Sequence, residues 1–219
     1  MESPLYLRQL ELGPMQNFVY LIGDKEAKEC VVVDPGWDVP TILKTAESDG
    51  LKITKILITH GHPDHTNGVE SLLAKNDCKV YVQKHEADFM KFRWPNLIRV
   101  ESGEMIDVGK IKIRAIHTPG HTPGSQCFQV ENGLVSGDTL FINSCGRVDL
   151  PGSNPEQMYD SLQKLRALDD QVILYPGHNY ADDPTSTIGS EKQTNPYLQF
   201  PNAKEFLRAM TGGLSGRWY

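Results

Sequence analysis

The sequence predicts an α/β fold in which helices cover mixed β-sheets. Short apolar runs of strand length alternate with stretches whose apolar residues recur at helical spacing, in two successive halves of the chain. Strand pairs occur as well as longer crossovers, which indicates mixed sheets. No linker or low-complexity segment interrupts the 219 residues, so one domain is expected over residues 1–219.

The first half is predicted to contain five strands and three helices. Residues 30–33 form an apolar run that ends in Asp34-Pro35-Gly36, the pattern of a buried strand followed by a turn. Asp34 either begins this turn or orients a ligand at the same sheet edge. The strands are placed at residues 5–12, 17–22, 30–33, 56–58 and 79–83, and the helices at residues 38–48, 66–74 and 85–92.

The second half repeats the alternation. Strands are predicted at residues 105–108, 110–116, 126–130, 134–136 and 172–175. The turn Glu131-Asn132-Gly133 joins two of them and is a hairpin signal. A helix with Pro155 at its start is predicted over residues 155–168, and the tail at residues 202–210 is predicted to form one more helix.

The composition is that of an ordinary soluble protein, with 39% apolar residues, 23% charged residues and a formal net charge of −6. No cluster of Lys and Arg offers a phosphate-binding face, which argues against a nucleic-acid partner. The four cysteines lie far apart, which indicates reduced thiols, and neither a signal region nor 18 consecutive apolar residues is present. A cytoplasmic protein without a membrane partner is expected, and the oligomeric state is left open.

Residues 59–65, Thr-His-Gly-His-Pro-Asp-His, place three imidazoles and a carboxylate directly after an apolar strand. In an extended chain residues two apart point the same way, so His60 and His62 can close on one ion while Asp64 and His65 face a neighbouring point. Burying so many titratable groups together is costly unless they bind something. The pattern indicates a metal site, with a histidine-rich surface turn as the alternative.

Three later segments each end a strand-like run with one more ligand-type residue beside a glycine. Small, turn-forming residues let the backbone bend at a strand end, where loops carry site residues on a rigid sheet. Together with the first segment they supply five histidines and two aspartates, about right for two zinc-type ions. The seven candidate metal ligands are His60, His62, Asp64, His65, His121, Asp138 and His178.

Three nearby residues are expected to have other roles. His117 lies four residues before a candidate ligand, but Pro119 and Gly120 make a helix between them implausible, so a structural or supporting role is expected. His85 has no companion ligand nearby and is expected to be structural or exposed. Cys145 follows the second late segment, which ends at Asp138, and a small buried thiol is expected there in preference to a pocket residue.

These motifs resemble the metallo-β-lactamase-fold hydrolases, which share the His-x-His-x-Asp-His run and the later His, Asp and His in the same order. Within that superfamily the chain most resembles the hydroxyacylglutathione hydrolases (glyoxalase II), on residues 118–125, 137–141, 145–147 and 176–180. Residues 187–190 and 195–198 are similar to glyoxalase II-like proteins that lack the C-terminal helical domain. The resemblance implies an αβ/βα four-layer sandwich of two mixed β-sheets flanked by helices, with the site where the sheets meet.

The resemblance also implies the chemistry. Two divalent ions, zinc in first place with iron or manganese as alternatives, would ionise a water at neutral pH, and the hydroxide would attack a thioester such as S-lactoylglutathione. Asp64 and Asp138 would be the catalytic carboxylates. The seven residues would divide into two ligand sets and a bridge: His60, His62 and His121; Asp64, His65 and His178; and Asp138 between them.

For substrate binding the resemblance points to Arg147 and Tyr180. Glyoxalase II holds glutathione partly with a basic residue and two tyrosines, and Arg147 and Tyr180 match the basic position and the later tyrosine. Asp149 departs from the pattern, because the other tyrosine is expected there. A small thioester or glutathione-derived substrate is therefore predicted.

Other functions remain alternatives. Persulfide dioxygenases share the fold, resemble this chain at residues 145–149, and use a single iron held by two histidines and one carboxylate, here His60, His121 and Asp138. A metal-binding module without catalysis is a third class, but none of the seven ligands is missing. The fold also hosts lactam hydrolysis. We predict a metal-dependent hydrolase.

Overall fold

The computed structural model describes residues 3–211 and arranges most of their strands in two six-stranded sheets. The strands of the first sheet follow chain order. The first two neighbouring pairs are antiparallel, and the remaining three pairs, from the third strand onwards, are parallel. Its strands are β1 (Leu5–Leu12), β2 (Asn17–Asp24), β3 (Glu29–Val33), β4 (Lys52–Ile58), β5 (Lys79–Gln83) and β6 (Leu97–Val100).

Eight further strands follow: β7 (Met105–Val108), β8 (Ile111–His117), β9 (Gln126–Val130), β10 (Gly133–Gly137), β11 (Leu140–Phe141), β12 (Ser144–Cys145), β13 (Ile173–Pro176) and β14 (Ser186–Thr187). The second sheet has the order β14-β13-β10-β9-β8-β7, with β10 and β13 parallel and the other neighbours antiparallel. β11 and β12 form a separate small hairpin.

Two of the helices begin at clear side-chain caps. The Asp38 carboxylate accepts the Thr41 N–H at the start of the first helix, and the Asn154 side chain accepts the Gln157 N–H at the start of the longest one. Within residues 3–211 the helices are α1 (Val39–Ser48), α2 (Pro63–Thr66), α3 (Val69–Leu73), α4 (Lys84–Met90), α5 (Pro155–Arg166), α6 (Ile188–Thr194) and α7 (Ala203–Thr211). A 3₁₀ turn, Pro196–Leu198, follows α6.

Three hydrophobic cores lie between four layers. One joins α1, α3 and α4 to the first sheet and includes Ile42 and Leu72, the second lies between the sheets around Tyr20 and Phe128, and the third joins the second sheet to α5 and α7 around Phe206. Each fully buried side chain of this size contributes about 1.5–3 kcal/mol. The predicted four-layer αβ/βα sandwich of mixed sheets is confirmed.

The predicted helix over residues 66–74 is wrong, because two short helices, α2 and α3, occupy this segment. Between them the Asn67 side chain accepts the Trp37 N–H at 2.6 Å, and the Gly68 N–H donates to the Pro35 carbonyl at 3.0 Å. A side chain at Gly68 would collide with that carbonyl. Contacts with the turn after β3 therefore interrupt the helix.

Four short elements, β6, the β11–β12 hairpin, β14 and α6, were not predicted. The last of these has little apolar periodicity and is held by polar contacts: Thr187 accepts the Ser190 N–H, and buried Glu191 accepts the Asn143 N–H at 2.7 Å. The remaining predicted elements are present with shifts of a few residues at their ends, including the tail helix α7.

Asp24, at the end of β2, connects the first sheet to the β7–β8 turn of the second sheet through hydrogen bonds. Its carboxylate accepts the backbone N–H groups of Lys110 at 2.7 Å, Glu26 at 2.8 Å and Ala27 at 3.1 Å. The Lys110 N–H, and after it those of Ala27 and Glu26, lower the pKa of the Asp24 carboxyl. This contact therefore depends on the ionised carboxylate.

Two further expectations concern the whole described chain. All four cysteines are buried and free of disulfides. Between residues 3 and 211, every helix is too short or too polar to cross a membrane.

Candidate metal centre

The seven predicted ligands lie together at one edge of the sandwich, on loops that follow strands of both sheets. β4 leads into His60 and His62, and α2 carries the next pair of ligands. The β8–β9 loop supplies His121, and the parallel strands β10 and β13 end just before Asp138 and His178. Because parallel strands end at the same sheet edge, residues far apart in the chain meet here.

His60, His62 and His121 form the first group. One ring nitrogen of each lies within 4.8 Å of the others, and His62 Nδ1 is 3.0 Å from His121 Nε2. The ring of His60 meets those of His62 and His121 edge-on. Nitrogens about 2.0–2.1 Å from a tetrahedral zinc lie roughly 3.3 Å apart, so this spacing suits one ion.

Asp64, His65 and His178 form the second group. His65 Nε2 lies 3.1 Å from His178 Nε2 and 3.3 Å from Asp64 Oδ2. The Asp64 oxygen is 3.5 Å from His178 Nε2. These three atoms therefore surround a second point suited to one cation.

Asp138 lies between the two groups. Its Oδ2 is 3.6 Å from His121 Nε2 and 3.4 Å from His178 Nε2, and its Oδ1 is 3.4 Å from His65 Nε2. A side chain at Gly177 would collide with this carboxylate, so glycine is required beside it. The position of Asp138 suits a carboxylate shared by two ions.

Two buried atoms of the cluster, His60 Nε2 and Asp138 Oδ1, have no hydrogen-bond partner among residues 3–211. A buried polar atom left in this way costs about 1–3 kcal/mol. Both atoms face other ligand atoms of the cluster, since His60 Nε2 is 3.9 Å from the Asp138 carboxylate. Divalent metal ions would use both lone pairs, so the residues present fit such ions.

Hydrogen bonds on the outer ring nitrogens fix which nitrogen faces the centre. His121 Nδ1 lies 2.8 Å from the Arg147 carbonyl, and His178 Nδ1 lies 2.8 Å from the Met15 carbonyl. A carbonyl only accepts, so each Nδ1 carries the proton and each Nε2 presents a lone pair inward. The surrounding backbone thus prepares both rings as metal ligands.

Burial and mutual repulsion keep the first group neutral. Burial, and after it the neighbouring His121, lowers the pKa of His62 to about 4, and burial also holds the pKa of His60 well below its usual range. Burial opposes ionisation of Asp138, but the charges of His178 and His65 outweigh it and hold the pKa of this carboxyl well below its usual range. Neutral imidazoles in the first group and an ionised Asp138 are the protonation states that metal binding requires. In the second group burial opposes protonation of His65, but the Asp138, Asp34 and Asp64 carboxylates outweigh it and raise the pKa of His65 well above its usual range, so an ion bound there would displace a proton.

Asp34 fulfils both roles that the sequence left open. Its carbonyl accepts the Gly36 N–H at 2.7 Å in the turn after β3. Its carboxylate accepts the Thr59 N–H at 2.7 Å and lies 3.0 Å from His65 Nδ1. Asp34, His60 and His65 also form a compact triplet, but Asp34 contacts the outer nitrogen of His65, so it orients that ring.

Asn17 and Trp37 support Asp64, and sequence reasoning assigned neither residue a role at the site. Asn17 Nδ2 donates to Asp64 Oδ2 at 2.8 Å, and Trp37 Nε1 donates to Asn17 Oδ1 at 2.8 Å. The loop at Gly13 packs directly against the indole ring. This chain of hydrogen bonds holds the Asp64 carboxylate towards the second group.

Glu86, on α4, joins the two loops that carry the first group. It is fully buried, and Oε1 accepts the Gly61 N–H at 2.6 Å. Oε2 accepts the Gly124 N–H at 2.9 Å and the Thr122 hydroxyl at 2.7 Å. Sequence reasoning placed Glu86 in a helix without a role, because nothing in the spacing links residue 86 to residues 61 and 124.

The remaining candidates lie outside the cluster. His117 Nε2 donates to the Pro123 carbonyl at 3.0 Å, and its ring lies 5.5 Å from that of His85, so both have structural contacts. Cys145 is fully buried within the third core, and burial raises the pKa of its thiol. It is a buried thiol, as predicted.

A pocket of about 1060 Å³ opens over the centre, and both predicted substrate residues line it. The Tyr180 ring stacks on His178 at 4.6 Å. Arg147 forms a bidentate ion pair with Asp149. The other lining residues are largely apolar and include Phe141 and Leu150.

A candidate metal centre at the edge of a four-layer αβ/βα sandwich is typical of a class of metal-dependent enzymes, and comparison with known proteins shows which family the chain belongs to. Residues 12–178 match the family described as "Metallo-beta-lactamase superfamily", and the chain belongs to that superfamily. The match confirms the predicted fold family.

Three curated relatives show where the chain lies within the superfamily. It is 33% identical over 196 residues to a "Probable polyketide biosynthesis zinc-dependent hydrolase PksB" of Bacillus subtilis, covering 89% of this chain and 87% of that one. It is 41% identical over 167 residues to a hydroxyacylglutathione hydrolase of Rhodospirillum rubrum, covering 75% and 62%. It is 30% identical over 224 residues to the mitochondrial persulfide dioxygenase ETHE1 of Bos taurus, covering 95% and 81%.

These matches confirm the resemblance to hydroxyacylglutathione hydrolases, which are homologues of this chain within the superfamily. They also add zinc-dependent hydrolases named for polyketide biosynthesis, which the sequence motifs did not suggest. The chain spans 62% of the length of the Rhodospirillum enzyme, so the activity of that whole protein does not transfer directly.

Proposed function

We propose that this protein is a hydrolase that binds two divalent metal ions, zinc in first place, and cleaves a small thioester into a carboxylic acid and a thiol. The convergence of seven ligand-type side chains from loops of both sheets carries the proposal, together with the unpartnered buried atoms His60 Nε2 and Asp138 Oδ1. The zinc-dependent hydrolase among its relatives supports the choice of metal.

The proposed ligand sets follow the observed groups. His60, His62 and His121 would hold one ion, Asp64, His65 and His178 the other, and Asp138 both. Two ions held in this way would supply an ionised water at neutral pH. Asp64, fixed by Asn17, would also orient that nucleophile.

The pocket residues would position the substrate above this centre. Tyr180, stacked on His178, presents a phenol hydroxyl that can donate to a substrate carbonyl, and Arg147 lines the same pocket. A thiol has a pKa near 8.5, so it leaves as a thiolate without a dedicated acid. A thioester therefore suits a site that offers metal ligands and pocket-lining side chains but no dedicated acid for the leaving group.

A second candidate is a persulfide dioxygenase with one iron held by His60, His121 and Asp138, which the 30% identity to the bovine enzyme favours. We favour the hydrolase because the second group, Asp64, His65 and His178, is also complete. A single-iron enzyme has no need of a second group in this compact form.

The test pairs metal analysis with two assays on protein purified without added metal. About two zinc-type ions per chain, and thiol release from S-lactoylglutathione or another thioester, would support the hydrolase. About one iron per chain and oxygen uptake with glutathione persulfide would overturn it in favour of the dioxygenase.

The ligand assignment is tested separately with a matched pair of histidine variants. His121→Ala should lose at least one bound ion and most turnover, whereas His85→Ala, outside the cluster, should retain both. Unchanged metal content and turnover in His121→Ala would contradict the assignment.

A further inference from the structure

The pocket over the candidate centre has a distinctive distribution of charge. Apart from the histidines, Arg147 is the one cationic side chain among the described pocket residues. Its Nε and Nη2 atoms donate to the two carboxylate oxygens of Asp149 at 2.9 and 3.0 Å. The guanidinium charge is therefore already compensated within the protein.

Arg147 is held through both its side chain and its backbone. Bidentate contacts between guanidinium and carboxylate are the strongest geometry for such a pair. The Arg147 backbone is anchored independently, because its carbonyl accepts the proton of His121 Nδ1 at 2.8 Å. Asp182, which lines the same pocket, adds a further negative charge.

Much of the rest of the pocket lining is apolar. Phe141, Ile142, Leu150 and Pro151 line the same pocket as Arg147. Glutathione carries two carboxylates and one ammonium group, so its thioesters would bring net negative charge towards a pocket whose one described cationic side chain apart from the histidines, Arg147, is already paired with Asp149. An uncharged thiol arm would instead bury its methylene groups against these apolar side chains, which removes apolar surface from water.

We propose that the substrate is a thioester whose thiol arm is an uncharged aliphatic amide. In this proposal Asp149 determines the specificity, because its carboxylate neutralises the Arg147 charge that would otherwise attract anionic thiols. This inference rests on the proposed thioesterase function. It makes Asp149 a specificity residue that acts through Arg147.

The experiment compares two thioesters with the same acetyl group, one of glutathione and one of N-acetylcysteamine, by thiol release. The wild-type protein should have the higher kcat/KM for the uncharged substrate. Asp149→Asn should raise the ratio of kcat/KM for the glutathione thioester to that for the uncharged one by roughly 3- to 10-fold, the effect of one freed, partly exposed cation.

Two further variants assign the effect. Arg147→Gln/Asp149→Asn should return the ratio to the wild-type value, because no cation is left to be freed. Asp107→Asn is the matched control: it also breaks a surface ion pair, with Lys112 at 2.9 Å, but lies outside the pocket residues and should leave the ratio unchanged.

The outcomes separate this inference from the proposed function. If the wild-type protein hydrolyses neither thioester, the proposed function fails, and the inference with it. If it hydrolyses the glutathione thioester as well as the uncharged one, or if Asp149→Asn changes the ratio no more than Asp107→Asn does, the inference alone fails.

Discussion

Replacing Glu86 by alanine should destabilise the protein by an amount that the structure defines. Two buried backbone donors, the Gly61 and Gly124 N–H groups, would lose their acceptor. The Thr122 hydroxyl has a second partner in Ser125 at 2.8 Å, so it adds little. At about 1–3 kcal/mol for each of these two unsatisfied donors, the free energy of unfolding should fall by about 2–6 kcal/mol.

Urea denaturation at neutral pH measures this change, with the slope m checking that unfolding stays two-state. Glu86→Gln should cost less than Glu86→Ala, because its amide oxygen still accepts from one loop while its NH₂ group faces a donor of the other. Asp88→Ala is the control on the same helix, since Asp88 is exposed and paired with Arg99. A loss below about 1 kcal/mol in Glu86→Ala, or a loss equal to that of Asp88→Ala, would refute the role assigned to Glu86.

Three other predictions concern metal binding, the hydrogen bonds that hold Asp64, and the Asp24 contact between the two sheets. Removing metal with EDTA should lower the thermal midpoint, because the buried ligand atoms lose their cation; an unchanged midpoint in differential scanning fluorimetry would count against a metal site. Trp37→Phe removes the donor to Asn17 and should weaken metal binding by about tenfold in a metal-buffered titration. The control Trp94→Phe should leave the metal affinity unchanged. Equal affinities of the two variants would show that Asp64 needs no such support. The lowered pKa of Asp24 means that its stabilisation is complete above the unfolded-state pKa of about 3.9 and is lost as pH falls through the folded-state value. Asp24→Asn should therefore reduce stability at pH 7 and flatten its acid dependence, and parallel curves for both proteins would exclude this contribution.

The sequence was most informative where the chemistry is local. Spacing within residues 59–65 identifies ligand-type side chains because the chain itself places them close together. His121, Asp138 and His178 were marked by glycines at strand ends, and strand pairing then brings them together. The division into two ligand sets came from family resemblance and is still a proposal.

The supporting residues escaped prediction for a physical reason. Asn17, Trp37 and Glu86 act through contacts between remote segments, and no periodicity encodes such contacts. The split helix at Gly68 had the same origin, since the carbonyl that interrupts it belongs to another loop. The short edge strands β6 and β14 are defined by their neighbours' hydrogen bonds more than by their own sequences.

The seam between the sheets has a consequence for how the chain can be divided. The first sheet ends at Val100 and the second begins at Met105, and both proposed ligand groups, His60/His62/His121 and Asp64/His65/His178, take residues from both sides of that connection. Contacts across the seam, such as the Phe18 N–H with the Gly177 carbonyl at 2.8 Å, hold the halves in register. Neither half carries either of these two groups complete, so a chain cut within residues 101–104 would regain its centre only when the two pieces reassociate. Recovery of metal binding would therefore report that the two pieces have reassociated.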